Sequence, residues 1–192
     1  VTELCRTGII LENGTVAFNG SVRSSVDHYL KNQNNFLNNS YYSESKNALP
    51  LFTSINLEVS GKQPKQILRI SFKVNKSNVP QAFVTFGIKN SAGITIMEAY
   101  PSSMTPSISF SDPNRIYLCE IELNNFIPDQ YIVYAWLGPN ATEQYDFLQE
   151  HLGFELFDSP MPNRTFPFST SLGSIIAESR FIDSKDDDKK SH

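Results

Sequence analysis

The chain has 192 residues, of which 40% are hydrophobic and 19% charged, enough apolar material for one core and too little charge for bulk disorder. Its net charge of -4 comes with no basic patch of the kind that neutralises phosphates, so a nucleic-acid partner is not expected. Fourteen Phe and eight Tyr favour strands, and the absence of long Ala/Leu/Glu/Lys-rich stretches argues against a helical bundle or coiled coil.

Residues 1–30 form the first unit. Gly8-Ile9-Ile10-Leu11 and Thr15-Val16-Ala17-Phe18 read as strands around Asn13-Gly14, a turn pair that accepts positive φ at both positions. Asn19-Gly20 breaks the second strand, and Ser21 can cap a helix. In that helix Val22, Val26, Tyr29 and Leu30 make one apolar stripe. So small a unit does not stand alone, and its stripe implies a neighbour. Residues 31–48 are polar and aperiodic and read as a linker.

From about residue 49 the period becomes two. Ile55, Leu57 and Val59 alternate with polar residues, as do Leu68, Ile70, Phe72 and Val74. Val84, Phe86 and Ile88 follow, and then segments 94–100, 115–123, 131–137, 152–158 and 174–181, separated by turn residues. Eight short strands at this spacing predict an all-β, immunoglobulin-like antiparallel sandwich over residues 49–182. Residues 183–192 form a charged tail expected to be disordered.

Cys5 and Cys119 lie in apolar settings far apart in sequence and read as reduced core residues of a cytosolic protein. The N-terminus lacks a signal-peptide core, and no apolar run approaches the roughly 20 residues that cross a bilayer. Of the three histidines, His28 lies in the short helix and His192 in the tail, which leaves His151 for the sandwich and no set of metal ligands. No Gly-x-Ser-x-Gly and no phosphate-cradling loop occurs. Glu98, Glu120, Glu122, Glu150 and Glu155 could in principle supply a glycosidase pair, but such residues ordinarily line solvated strand faces, so no catalytic role is expected.

The segment from Leu4-Cys5-Arg6-Thr7-Gly8-Ile9 through Val16-Ala17-Phe18-Asn19-Gly20 resembles the end of an ABC-transporter nucleotide-binding domain, after the switch histidine. Its continuation through Val26-Asp27-His28-Tyr29-Leu30 is similar to the subclass that exports polysaccharides. Ile121-Glu122-Leu123 and Phe126-Ile127-Pro128-Asp129-Gln130-Tyr131 resemble the I-x-x-L-x-L-x-x-G-x-Y signature of the Wzt-type C-terminal domain. Gly153-Phe154-Glu155-Leu156, Gly173-Ser174-Ile175 and Arg180-Phe181 resemble its later strands. Two positions depart from these patterns. Thr7 stands where Arg is usual, and Asp129 where Gly is usual; Asp tolerates the left-handed conformation.

The resemblance implies a cytoplasmic glycan-recognition module of an O-antigen polysaccharide exporter, peripheral at the inner face of the bacterial plasma membrane. Its implied partners are an undecaprenyl-linked O-antigen polysaccharide and, through the whole protein, a transmembrane permease subunit. The family forms homodimers by exchanging a terminal strand. No cofactor is expected here, since ATP and Mg would belong to a nucleotide-binding domain whose Walker and signature motifs this sequence does not contain. The alternative is a structural dimerisation domain without glycan binding.

A sugar site commonly pairs an aromatic platform with hydrogen-bonding side chains. Tyr131, Val133, Ala135 and Leu137 fall on one face of their strand, and Ile132, Tyr134 and Trp136 on the other. If the first set is core, the single Trp faces outward beside a Tyr. Immunoglobulin-type pairing then puts Phe83, Thr85, Tyr134, Trp136, Glu155 and Phe157 on one outer face, the expected carbohydrate surface. The opposite assignment buries Trp136, and packing against a dimer mate is a third reading of the patch. Glu150 and His151 could reach its rim.

Overall fold

The computed structural model describes residues 5–22, 24–26, 28–29, 38–43, 51–75, 82–100, 112–140, 142–164 and 168–179. The tail at 183–192, most of the expected linker, and Arg180-Phe181 lie outside the described residues.

The N-terminal hairpin joins β1 (Thr7–Glu12) to β2 (Thr15–Ser21). Asn13 and Gly14 turn at φ 49° and 81°, the two positive values a type I′ turn demands. Ser21 caps the helical residues that follow, its Oγ accepting from the Ser24 N–H at 3.2 Å. Ser25 is buried and donates its hydroxyl to the Gly8 carbonyl at 2.9 Å, which ties the helical segment to β1. Phe18 stacks on His28 at 4.7 Å. The expected apolar stripe stays partly open, with Val22 and Val26 half-buried and Tyr29 exposed; Leu30 lies outside the described residues.

The remaining strands build a sandwich of two four-stranded antiparallel sheets. One has the order β3 (Ser40–Tyr42), β4 (Phe52–Lys62), β5 (Lys65–Val74), β8 (Tyr117–Glu122). The other has the order β10 (Asp146–Leu156), β9 (Asp129–Gly138), β6 (Phe83–Lys89), β7 (Thr95–Ala99). This is the immunoglobulin arrangement, with the third, sixth and seventh expected strands in one sheet. Period two sends Ile55 and Leu57, Leu68 to Val74, Val84 to Ile88, and Tyr131 to Leu137 into a shared core. Phe72 sits at its centre, with ring centroids 6.0 Å from Phe52 and 5.3 Å from Phe86.

The signature tyrosine has a structural task. Tyr131 is fully buried and donates its hydroxyl to the Ile127 carbonyl at 2.8 Å, fastening the turn into β9 as the tyrosine corner of immunoglobulin-like domains does. Burial, then the nearby Asp129 charge, raises its phenol above the ordinary value and keeps it a donor. Asp129 itself does not take the left-handed role expected of it. Asn125 carries the positive φ, at 60°, and Asp129 accepts from the Ser91 hydroxyl at 2.9 Å instead.

Three other expectations are corrected. The stretch expected to be linker contains β3, which pairs with β4, and Asn38 bridges to Leu152 of β10. Those contacts close one side of the sandwich, and no alternation in so short and polar a segment announces them. Among the described residues of the expected eighth strand, 174–179, the pairing is a bridge between Ile175 and Phe126, with the Ile127 and Ile176 N–H groups bonded at 3.1 and 2.9 Å. Its partner is a turn, which offers too few aligned backbone groups to extend a ladder. Cys5 is exposed rather than core. Cys119 is half-buried against the core, which raises its thiol above the ordinary value; both are free.

Asp146, at the start of β10, accepts from the Phe52 N–H at 2.9 Å and so joins the two sheets. Burial nevertheless raises its carboxyl above the ordinary value, outweighing that bond. A raised carboxyl binds a proton more tightly folded than unfolded, so stability declines as pH rises from the ordinary Asp range through the raised folded value. Asp146→Asn retains an acceptor without the charge. Thermal melts from pH 3.5 to 8 are expected to give a variant at least as stable as wild type at pH 7 with a shallower decline over that interval. A large loss at pH 7 would show that the carboxylate is needed as such.

Candidate functional site

The register fixes what lies on the outer face of the second sheet. Thr85 is opposite Trp136, which is opposite Phe147, so these three form one transverse row from β6 to β10. Phe83 pairs with Gly138 just beyond. In the next row inward, Gly87 lies between Tyr134 of β9 and Glu98 of β7. Lys89 and Ile132 come next, and Glu155 faces Gln130 at the far end.

Phe83, Thr85, Tyr134 and Trp136 therefore come together. Glu155 shares their face but sits away from them. Its partner Gln130 is six residues along β9 from Trp136, about 20 Å at 3.3 Å per residue. Alternation tells which face a residue takes but not its row, which depends on pairing register. Phe157 is highly exposed beyond the end of β10, and the side chains of Glu150 and His151 lie outside the described ones.

The core takes Tyr131, Val133, Ala135 and Leu137, so Trp136 faces outward. The face is nevertheless not a fully open platform. Thr85 and Tyr134 retain 4% and 8% of their surface, and Trp136, Phe83 and Phe147 are half-buried. Two glycines account for part of this. A Cβ at Gly87 would overlap the Tyr134 ring, and one at Gly138 would overlap the far edge of the Trp136 indole. Each ring thus lies along the sheet over a position without a side chain, where an upright ring would stand in water.

Tyr134 uses the gap to cross the central strand. Its ring spans Gly87, and its hydroxyl donates to Glu98 Oε1 on edge strand β7. Phe147 meets the ring edge-on at 5.9 Å, and the Lys89 ammonium stands 5.7 Å from its centroid. Burial first, then the Glu98 hydrogen bond and charge, raises the phenol above its ordinary value and keeps it protonated. Tyr100, one residue past β7, is exposed.

Sequence reasoning missed Gly87, Phe147, Lys89 and Tyr100, and it placed Glu98 only among solvated carboxylates. A signal existed for two of them. A Gly inside an otherwise apolar strand marks close approach of another group, and Glu98 and Tyr100 share a strand face by period two.

Glu98 and Glu155 are three strands apart, about 14 Å, and four residues apart along the sheet, about 13 Å. That exceeds the roughly 5–9.5 Å between the carboxyls of a glycosidase pair. Among the described residues no group of His, Cys, Asp or Glu side chains is arranged to hold a metal ion, and no helix is long and apolar enough to cross a membrane.

The class is thus an immunoglobulin-like β-sandwich with a half-recessed aromatic and polar face on one sheet. No family model and no curated protein matches the chain. Among solved structures it is similar to the C-terminal domain of wzt, at 13% identity over 75% of this chain and 87% of that one, with a TM-score of 0.46. It is also similar to part of a Parabacteroides merdae β-glucuronidase, at 15% identity over 55% of this chain, with a TM-score of 0.38. The chain spans 14% of that enzyme's length. Both likenesses are distant, and neither assigns a ligand or a reaction to this chain.

Proposed function

We propose that the sandwich is a glycan-recognition module of a polysaccharide ABC exporter, taking the O-antigen chain on its undecaprenyl carrier at the cytoplasmic face of the membrane. The observation that carries this reading is the outer face around Trp136, where a half-buried indole adjoins Phe83, Phe147 and the Tyr134–Glu98 pair. Aromatic rings that keep part of their surface open beside fixed polar groups suit the apolar face and the hydroxyls of a pyranose. The N-terminal segment and the Tyr131 corner agree with the sequence resemblance to the polysaccharide-export subclass. In this reading ATP and Mg act in a nucleotide-binding domain that contains the motifs absent here, and a permease subunit completes the transporter.

A single site this shallow binds one sugar unit weakly, and a homodimer on a repeating polymer gains strength through local concentration. The test is an NMR titration of the chain with delipidated O-polysaccharide from the source strain. Shifts centred on the Trp136 indole and on β6 and β9 are expected, and their absence at millimolar repeat unit would overturn the reading.

A structural dimerisation domain is the second reading. It is favoured by the exposed Ile116 and Leu118 at edge strand β8 and by Ile94 and Tyr100 beside edge strand β7. The Pro-containing loop 158–163 before the terminal segment suits strand exchange between protomers. Light scattering is expected to give a dimer for the intact chain and a monomer after deletion beyond Ser171. A monomeric intact chain would remove the dimer from both readings.

A further inference from the structure

We propose that Glu98 is the ligand-binding carboxylate of this surface, with Gly87 and Tyr134 as the device that positions it. The proposal rests on the glycan-recognition reading and names which of its polar groups takes the ligand and through which atom, since Glu155 lies far down the sheet.

Glu98 stands on β7, the edge strand, which β6 alone holds in the sheet. A carboxylate on an edge strand ordinarily samples several rotamers in water and binds a hydroxyl weakly, because fixing it costs side-chain entropy. Here that cost is met within the fold. Tyr134 reaches from β9 across β6 and donates to Glu98 Oε1, and only a residue without a side chain at Gly87 leaves room for the ring. The phenol has a single proton to give, and it goes to one oxygen of the carboxylate.

The second oxygen, Oε2, remains available on an exposed residue, two positions before exposed Tyr100 and, relative to Trp136, one row along and two strands across the sheet. A fixed acceptor beside aromatic surface suits a neutral sugar, whose hydroxyl donates to the carboxylate while its apolar face rests on a ring. A uronic acid would meet like charge at that oxygen. The favoured ligand class is therefore a neutral pyranoside read through a hydroxyl donor.

The test uses the whole 192-residue chain and delipidated O-polysaccharide of the source strain, with Trp136→Ala as the reference variant. Glu98→Gln keeps the length of the side chain and an acceptor for Tyr134 while removing the charge. It is expected to weaken binding about tenfold with an unchanged melting temperature. Tyr134→Phe keeps the ring over Gly87 and the charge on Glu98 but removes the hydroxyl that fixes the carboxylate. It is expected to weaken binding several-fold and to speed amide exchange in β7. Gly87→Ala, if it folds, should combine both losses. Glu98→Gln binding as wild type while Trp136→Ala loses binding would overturn the Glu98 proposal and leave the glycan reading standing. A wild-type chain that binds no polysaccharide would overturn both.

Discussion

Trp136→Ala is expected to weaken polysaccharide binding by tenfold or more, about 1–3 kcal/mol, while the fold persists. The reason lies in where the indole sits. Its strand neighbours Ala135 and Leu137 point into the core, and Trp136 points to the other side, across from Thr85 and Phe147. Removing it opens no cavity in the core. It takes away the largest ring of the outer face and uncovers Gly138, beneath its far edge. The apolar area lost is partial, so a stability change of about 1–2 kcal/mol is the ceiling. Fluorescence of the single Trp reports binding in the wild type, and isothermal calorimetry compares wild type with variant. Unchanged affinity would move the site elsewhere, and global unfolding would mean that the indole supports the sandwich itself.

Phe86→Ala should produce the largest loss of stability. Phe86 retains 1% of its surface and contacts Phe52 and Phe72 at centroid distances of 6.2 and 5.3 Å. It stands on β6, between β9 and β7, and meets rings from β4 and β5 of the opposite sheet. Truncation removes the transfer free energy of a buried ring and leaves a void that neighbours on paired strands cannot fill, a cost of about 3–5 kcal/mol. Against a total of about 5–15 kcal/mol for a domain, that brings the sandwich near its unfolding threshold. Urea melts are expected to shift the midpoint strongly with an unchanged slope. A loss under about 1 kcal/mol would mean that the core repacks freely around this position. The contrast with Thr85, one residue away and buried on the other face, follows from period two alone.

Much of the architecture was legible because alternation is a local property. Val84, Phe86 and Ile88 announce a strand and its buried side without reference to any other segment. Asn13-Gly14 announces its turn in the same way, since few other pairs accept two positive φ values. The order of strands was also within reach, because right-twisted strands in a sandwich of this size have few ways to connect. Ser40–Tyr42 was not legible, because a three-residue edge strand is stabilised by its partner β4 rather than by its own pattern.

The amino-acid sequence by itself determined that Phe83, Thr85, Tyr134, Trp136 and Glu155 share an outer face if Tyr131, Val133, Ala135 and Leu137 are core, and it left the opposite assignment open until the structure placed that second set inside. Only the tertiary structure decided which of them meet. Face is set by a two-residue period carried within each strand, whereas distance along the sheet depends on the register between strands, where one hydrogen-bonding step moves a residue by several ångströms. That is why Glu155 falls at the row of Gln130, away from Trp136, and why Glu98, from a strand the sequence left unassigned to any site, comes within reach of the Tyr134 hydroxyl.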